Sequence, residues 1–393
     1  MRIIKLSTIL VSLAASSAFA GDVSVKLTGG FDFQAGYYKA LGNTERQTLT
    51  QNDPNKALYT TSFLGVIAEN QLDNGFKYGA KIGAETTTKS SRKFQSGIFT
   101  ESDFGRLELG SEKSAYSKMR INPASVAAGP GVYWDMWLDT NKNKQIPFVS
   151  CPVGYLDSKL RKSGMVEYSR KITYYTPEFY GLQVGISYIP DSSNVGYNSL
   201  STAETHSPIT GADYDVAVKD GIAAGISYKN SIDDLKFKIS FVSETGKAIA
   251  RQKLPNGKSD PKAPRLPGIK RLNNYTVGTQ VDYNNLSFVV SYGDLQKSFM
   301  KIDELNKGTE VIGGGVRYKH GKLATSVSHF HSVHRKNTLD ATTLGVDYKL
   351  APGILPYAEF TYFDAKGKNV KTPDAKKYYH KGTLTMVGTK VEF

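Results

Sequence analysis

Apolar and polar side chains alternate along most of the chain after residue 20, which is the pattern of β-strands with two different faces. In 23–37 the odd positions are mainly apolar, and the even positions are mainly polar. The same period of two recurs in later segments, at 76–85, 182–188, 235–241, 286–292 and 344–348. The pattern therefore predicts a chain made mainly of strands.

Many of these runs end on tyrosine or phenylalanine, where the strand would leave an apolar zone. Amphipathic rings suit a membrane–water boundary, and transmembrane barrels carry aromatic girdles at both interfaces. A water-soluble β-sandwich with aromatic strand ends would show the same alternation, because it hides each apolar face against a second sheet. Alternation alone does not separate the two.

The connections between the strands distinguish a transmembrane barrel from a water-soluble sandwich. Seven are tight and rich in Asn, Asp, Gly or Pro, the residues that short turns require: 73–75, 102–105, 177–181, 230–234, 284–285, 320–321 and 351–353. Mostly longer polar connections lie between these hairpins, such as 39–56, 190–219 and 244–273. This order predicts an up-and-down outer-membrane barrel with tight periplasmic turns and long outer loops.

The strand count agrees with a barrel. Seven hairpins and two single strands, at 22–38 and 382–393, make sixteen, and single-chain outer-membrane barrels have an even number. A barrel of this size encloses an aqueous channel. The predicted fold is therefore all-β: a sixteen-stranded antiparallel transmembrane β-barrel over residues 21–393, with no linker and no second domain.

Residues 1–20 have the features of a secretory signal peptide. Arg2 and Lys5 precede an apolar stretch, and Ala18-Phe19-Ala20 has the small-residue pattern of a cleavage site. A short N-terminal core helix is the alternative. The formal charge falls from +14 to +12 when the two basic residues are removed. An exported protein does not meet nucleic acid, so the basic balance is not interpreted as a nucleic-acid site.

Composition excludes other classes. Hydrophobic residues make up 39% and the mean hydropathy is −0.36. No mature apolar run reaches the ~20 residues of a membrane-spanning helix. The single Cys151 excludes a disulfide framework and cysteine-rich metal sites. The basic segment 251–271 is interpreted as a solvated loop, with lipopolysaccharide phosphates as the alternative partner.

No catalytic or cofactor motif stands out. The chain lacks a G-x-S-x-G elbow, a Walker A loop, an H-E-x-x-H helix and zinc spacing, so no enzyme activity, cofactor or metal is predicted. His329, His331 and His334 form the one histidine cluster. They are interpreted as rim residues near a strand end, with a metal site or catalytic base as the alternative.

Three patches resemble a known family. Residues 172–182, Ile-Thr-Tyr-Tyr-Thr-Pro-Glu-Phe-Tyr-Gly-Leu, are similar to a hairpin of Gram-negative general diffusion porins of the neisserial and proteobacterial type, with Thr176 where Ser is usual. Residues 104–110, Phe-Gly-Arg-Leu-Glu-Leu-Gly, resemble the family's segment before the third loop, and the chain ends on Phe393. The resemblance implies a homotrimer of sixteen-stranded barrels, each with its third loop in the lumen. It also implies that Phe393 is the signal read by the outer-membrane assembly machinery.

The longest connection, about 112–165, is the predicted constriction loop. A loop of this length without clear secondary structure needs a functional or disordered explanation. Folding into the lumen would narrow the channel and place Asp135 and Asp139, with Asp157 a further candidate, opposite basic wall residues. An outward surface loop is the alternative.

Lumen charges predict a weak anion preference. Alternation assigns eleven basic and seven acidic residues to the inner wall, because Lys or Arg on the lipid face would cost ~2–4 kcal/mol near the midplane. The wall residues expected at the constriction are Lys26, Lys77, Lys81, Arg106 and Lys171. Loop carboxylates projecting into the narrowest section would instead give neutral or cation-selective behaviour.

The sequence thus predicts an outer-membrane channel for passive diffusion of ions and small hydrophilic solutes, surrounded by lipid and lipopolysaccharide. An outer-membrane barrel enzyme or adhesin that acts through its extracellular loops is the alternative. A saccharide-specific channel is a third hypothesis, but inward aromatics such as Tyr175 and Tyr357 are too scattered to predict it.

Overall fold

The fold is taken from a computed structural model. It describes residues 23–41, 56–87, 92–131, 158–160, 165–192, 214–252, 264–265, 267–299, 308–334, 337–368 and 377–393. The predicted signal peptide lies outside the described residues.

Strands dominate the described chain. They are β1 Ser24–Leu41, β2 Lys56–Gln71, β3 Lys77–Thr87, β4 Arg92–Ser102, β5 Gly105–Ser111, β6 Ser158–Leu160, β7 Met165–Tyr168, β8 Arg170–Tyr175, β9 Leu182–Asp191, β10 Tyr214–Ile232, β11 Leu235–Gln252, β12 Leu272–Tyr283, β13 Leu286–Gln296, β14 Thr309–His320, β15 Leu323–His334, β16 Asn337–Tyr348, β17 Ile354–Lys368 and β18 Lys377–Glu392. A short helix, α1 (Ala115–Met119), and a 3₁₀ helix (Pro123–Val126) follow β5. None of the helices in the described ranges has the length and apolar character needed to cross a membrane.

Sixteen of these strands close into one antiparallel barrel. Each strand pairs with its neighbour along the chain from β1 to β5, β5 pairs with β8, and the order then continues to β18. The barrel closes where β18 pairs with β1, over twelve residues from Gly30↔Glu392 to Leu41↔Lys381. The predicted sixteen-stranded fold is confirmed.

The remaining strands, β6 and β7, form a small hairpin in the connection between β5 and β8. Strand β7 pairs in parallel with the start of β4, from Arg92↔Met165 to Phe94↔Glu167. This connection therefore has α1, the 3₁₀ helix and a hairpin of its own. The expectation of a loop without clear secondary structure was wrong, because single short elements of three to five residues leave no periodic signal in a sequence.

All seven predicted tight turns join adjacent barrel strands, and they lie at one edge of the barrel together with both ends of the described chain, Val23 and Phe393. We call this edge the turn end and the opposite edge the loop end. Gly181 shows why glycine is required in such turns. Its φ is +86°, and a Cβ there would lie 1.9 Å from the carbonyl oxygen of Lys229.

Several strands are longer than the ~10 residues that cross a bilayer. Strand β10 has 19 residues and β11 has 18, so both extend into the segments 190–219 and 244–273 that were predicted to be loops. The polar residues of these extensions caused the error, because strand positions beyond an apolar zone show no apolar alternation.

The two faces of the sheet have opposite chemistry. On β9 the apolar Val184, Ile186 and Tyr188 are exposed, whereas the alternate residues Ser187 and Ile189 are buried. The exposed apolar positions continue around the whole barrel, as expected for a face that meets lipid. The buried residues lie on the inner face, where part of the connection after β5 covers them.

Candidate pore lining

The segment 112–131, which we call the loop segment, packs against the inner face of the sheet. Its helix α1 contacts β8, β9, β10 and β11. The backbone N–H of Ala115 donates to the hydroxyl of Ser187 on β9 at 2.8 Å. The hydroxyls of Tyr116 and Thr276 on β12 are 2.7 Å apart. The start of the loop segment is therefore fixed to five neighbouring strands, β8 to β12.

The 3₁₀ helix continues along β13, β14 and β15. The wall under this part of the loop segment contains glycines at which a side chain would not fit, beside the buried Val289 of β13. A Cβ on Gly278 would lie 2.8 Å from Ile121, and one on Gly315 would lie 2.6 Å from Val126. These small wall residues leave room for the apolar side chains of the loop segment.

The far end of the loop segment reaches β17. The buried Glu359 carboxylate accepts hydrogen bonds from the backbone N–H groups of Gly129 and Gly131, both at 3.0 Å. Gly129 is packed so closely that a Cβ would lie 2.5 Å from the Tyr357 ring. Nearby, Arg317 donates to the carbonyl oxygen of Val126 at 3.0 Å and to Asp347 at 2.8 Å. One carboxylate and one guanidinium of the wall thus hold loop backbone.

Charged side chains hold the near end. Glu112, at the start of the loop segment, lies 2.7 Å from Lys81 of β3 and 3.9 Å from Lys118 of α1. Lys118 also pairs with Glu108 of β5, whose other oxygen lies 2.9 Å from Arg106. Acidic and basic groups therefore alternate from the inner wall into α1.

The same cluster extends toward the turn end. Arg106 lies 2.8 Å from Glu101 of β4 and 4.1 Å above the ring of Phe99. Burial lowers the pKa of the Lys118 ammonium, and the nearby Glu108 carboxylate opposes that shift. Lys118 is thus held in the cluster by its acidic partners, although burial acts against its charge.

Four of the five predicted wall residues lie beside carboxylates or inside this cluster. Lys26 pairs with Glu69, and Lys77 lies 3.9 Å from Glu101. Lys81 and Arg106 belong to the cluster. The fifth, Lys171, is buried and donates to the backbone carbonyl oxygens of Glu112 and Ser169. The predicted loop residues Asp135 and Asp139, together with Asp157 and Cys151, lie outside the described residues.

Sequence reasoning missed several charges of the inner face. The structure adds Glu69, Glu101, Glu112 and Glu244 to the inward carboxylates, and Lys118 and Lys229 to the inward bases. The excess of positive charge is therefore smaller than the sequence predicted. Alternation could have placed Glu69 and Glu101, but no period marks Glu112 and Lys118, which lie outside strands.

Two residues of the histidine cluster, His329 and His331, lie on the outer face of β15. His329 contacts the Thr342 hydroxyl at 2.9 Å, and His331 contacts Asp340 at 2.7 Å. Within the described ranges no group of three or more His, Cys, Asp or Glu side chains could hold a metal ion. The side chain of His334 lies outside the described part of the chain.

A closed sixteen-stranded barrel with an apolar outer face and a charged inner face is a transmembrane pore. The chain belongs to the Gram-negative porin family, whose model matches residues 7–368. It is 32% identical to a protein of Rickettsia bellii over 98% of both chains, and 30% identical to a Rickettsia conorii protein over 95% of this chain and 93% of that one; both bear the name "uncharacterized protein".

Solved porin structures share the fold. The anion-selective porin from Comamonas acidovorans superposes with a TM-score of 0.58 at 16% identity, covering 95% of this chain and 100% of that one. A mutant porin of Rh. blastica gives a TM-score of 0.54 at 13% identity, with 94% and 100% covered. The protein is therefore an outer-membrane porin, a multi-pass β-barrel of an oligomeric family, and family and fold indicate a channel rather than an enzyme.

Proposed function

We propose that the protein is a passive diffusion channel for ions and small hydrophilic solutes, and that the loop segment forms its constriction. The observation that carries this proposal is the course of residues 112–131 along the inner face, from Ser187 on β9 to Glu359 on β17. A segment in this position narrows the space inside the barrel. The apolar outer face and the polar inner face of the sheet stay as they are. Solutes would then pass between the loop segment and the uncovered wall.

The charges beside this path support a weak anion preference. Lys81, Arg106 and Lys171 of the wall and Lys118 of α1 lie around Glu101, Glu108 and Glu112, so four bases face three carboxylates here. Screening extends only ~8 Å at physiological salt, so charges at a constriction dominate selectivity. The Comamonas acidovorans porin of the same fold is anion-selective by its name.

The channel assembles as a homotrimer in this proposal, surrounded by outer-membrane lipid and lipopolysaccharide. Single insertions into a planar bilayer test the pore and the trimer together. We expect stepwise conductance increments in groups of three, whereas the same preparation after heat unfolding stays silent. A silent bilayer from folded protein would reject the channel and favour an enzyme or adhesin that acts through its outer loops.

Phe393 is proposed as the signal for the outer-membrane assembly machinery. Its backbone N–H and C=O bond to Gly29 of β1 at 3.0 and 2.9 Å, and its ring is 59% exposed on the outer face. Deleting Phe393 should therefore lower the amount of barrel in the outer membrane, measured by heat-modifiable migration in membrane fractions. Thr389→Ser, on the same strand, should insert normally, and normal insertion of the deletion variant would reject the assignment.

A further inference from the structure

A second charged site lies at the turn end, away from the loop segment. A cavity of about 530 Å³ opens between the β8–β9 turn and strands β10, β11 and β12. Its lining includes Tyr180, Lys229, Lys236, Lys238, Gln280 and Asp282. We call these residues the lysine cleft.

The three lysines are neighbours on one face of β10 and β11. Lys229 on β10 and Lys238 on β11 are direct partners across the sheet, and Lys236 lies two residues away on the same face. Like charges placed directly opposite each other on neighbouring strands are destabilising. An anion that binds between the lysines would reduce this repulsion.

Both carboxylates that line the cavity have partners within its lining. Glu178 pairs with Lys229, and the Asp282 carboxylate accepts a hydrogen bond from the Gln280 amide at 2.9 Å. In the described part of the chain, neither Lys236 nor Lys238 has a carboxylate oxygen within ion-pair distance, unlike Lys81 of the inner wall, which has Glu112 at 2.7 Å. Lys236 and Lys238 therefore line the cavity without a salt bridge in the described chain, although Asp282 is the cross-strand neighbour of Lys236.

We propose that the lysine cleft binds small phosphate-bearing solutes as they pass the turn end of the pore. A dianionic phosphate can accept hydrogen bonds from the Lys236 and Lys238 ammonium groups together, whereas a single carboxylate would neutralise only one charge. The Ser231 hydroxyl, which also lines the cavity, adds a neutral hydrogen-bond donor. This inference rests on the proposed channel function, because it assigns one solute class to that path.

The test is phosphate block of single-channel chloride current. Inorganic phosphate is added to either side of the bilayer at about pH 8, above the second pKa of phosphate groups. We expect a concentration-dependent fall in current or a rise in current noise with the wild-type protein. The double variant Lys236→Gln/Lys238→Gln should need roughly tenfold more phosphate, which corresponds to about 1.4 kcal/mol of binding.

A matched control removes the same charge at the same end of the barrel. Lys319→Gln/Lys349→Gln changes β14 and the turn after β16, both outside the cleft lining. Block that is lost in the cleft variant and kept in the control supports the proposal. Equal loss in both variants, or no block in the wild type, overturns it.

If the folded protein forms no pore, the proposed channel function is rejected, but phosphate binding at the lysine cleft is still open to test. Phosphorus NMR line broadening with the detergent-folded barrel then measures binding directly. Broadening that disappears in the Lys236→Gln/Lys238→Gln variant and persists in the Lys319→Gln/Lys349→Gln control supports the cleft. No broadening in the wild type overturns it.

Discussion

The loop segment is held at its two ends by different chemistry. At its start, Glu112 and Lys118 form ion pairs with Lys81 and Glu108 of the wall. At its far end, the wall carboxylate Glu359 accepts hydrogen bonds from backbone N–H groups of the loop. The near end adds ion pairs of loop side chains to its backbone hydrogen bonds, whereas the far end is held through loop backbone groups.

This difference separates two properties of a pore. The near end carries charges beside the proposed path, so changes there should alter ion preference more than loop position. At the far end the Glu359 carboxylate is buried against loop backbone. Changes there should therefore alter the position of the loop segment more than the electric field along the path. Substitutions at the two ends should therefore give different electrical signatures.

Glu359→Ala should have the largest effect. It removes the acceptor of two hydrogen bonds, and a bond to a charged group contributes roughly 1.5–3 kcal/mol. Losing even one such bond makes detachment of the far end at least about tenfold more frequent. We expect more frequent transient closures and higher current noise in single-channel recordings.

Glu359→Gln is the control for this change, because its amide oxygen keeps one acceptor for Gly129 or Gly131. The current noise of this variant should be higher than that of the wild type but lower than that of Glu359→Ala. Equal, wild-type noise in both variants would mean that Glu359 does not position the loop segment.

Glu112→Gln should have an intermediate effect, directed at selectivity. It leaves Lys81 and Lys118 without their shared carboxylate. One unit charge acting at ~8 Å in water is worth about 0.5 kcal/mol, so we expect an approximately twofold shift of the permeability ratio toward anions. The reversal potential measures this shift. Glu69→Gln removes the same charge from the exposed pair with Lys26, and it should shift the ratio less.

Lys77→Gln should have the smallest effect. Its ion pair with Glu101 is 3.9 Å long and both side chains are at least 40% exposed, so its contribution to stability is ~0–1 kcal/mol. We expect the temperature of heat modification to stay unchanged. Lys81→Gln breaks a shorter and more buried pair, so it should lower that temperature. The reverse order would contradict the role of the Lys81–Glu112 pair in holding the near end of the loop segment.

The periodic features of the strands and turns were predictable from the sequence, whereas the contacts of the loop segment with the wall were not. The alternation that exposes Val184 and Ile186 on β9, and the glycine of the turn at Gly181, follow from local rules of strands and turns. Strand order and number followed from the seven turns. These features depend on residues that are close together in the sequence, so a single sequence is enough to predict them.

Contacts between distant residues explain the rest. Gly129 and Glu359 are 230 positions apart, and Tyr116 and Thr276 are 160 apart. No local pattern in the sequence marks such pairs, because a loop can pack on any part of an inner wall. For the same reason Glu112 and Lys118 were not predicted as site residues, although both lie in the loop that the sequence singled out.

The reversal potential of the wild-type channel across a potassium chloride gradient tests most directly whether a positively charged inner wall lines the conducting path. Bases such as Lys81, Arg106 and Lys118 around Glu108 and Glu112 predict a small potential of anion-selective sign. A clear cation-selective sign would contradict the placement of these charges at the constriction.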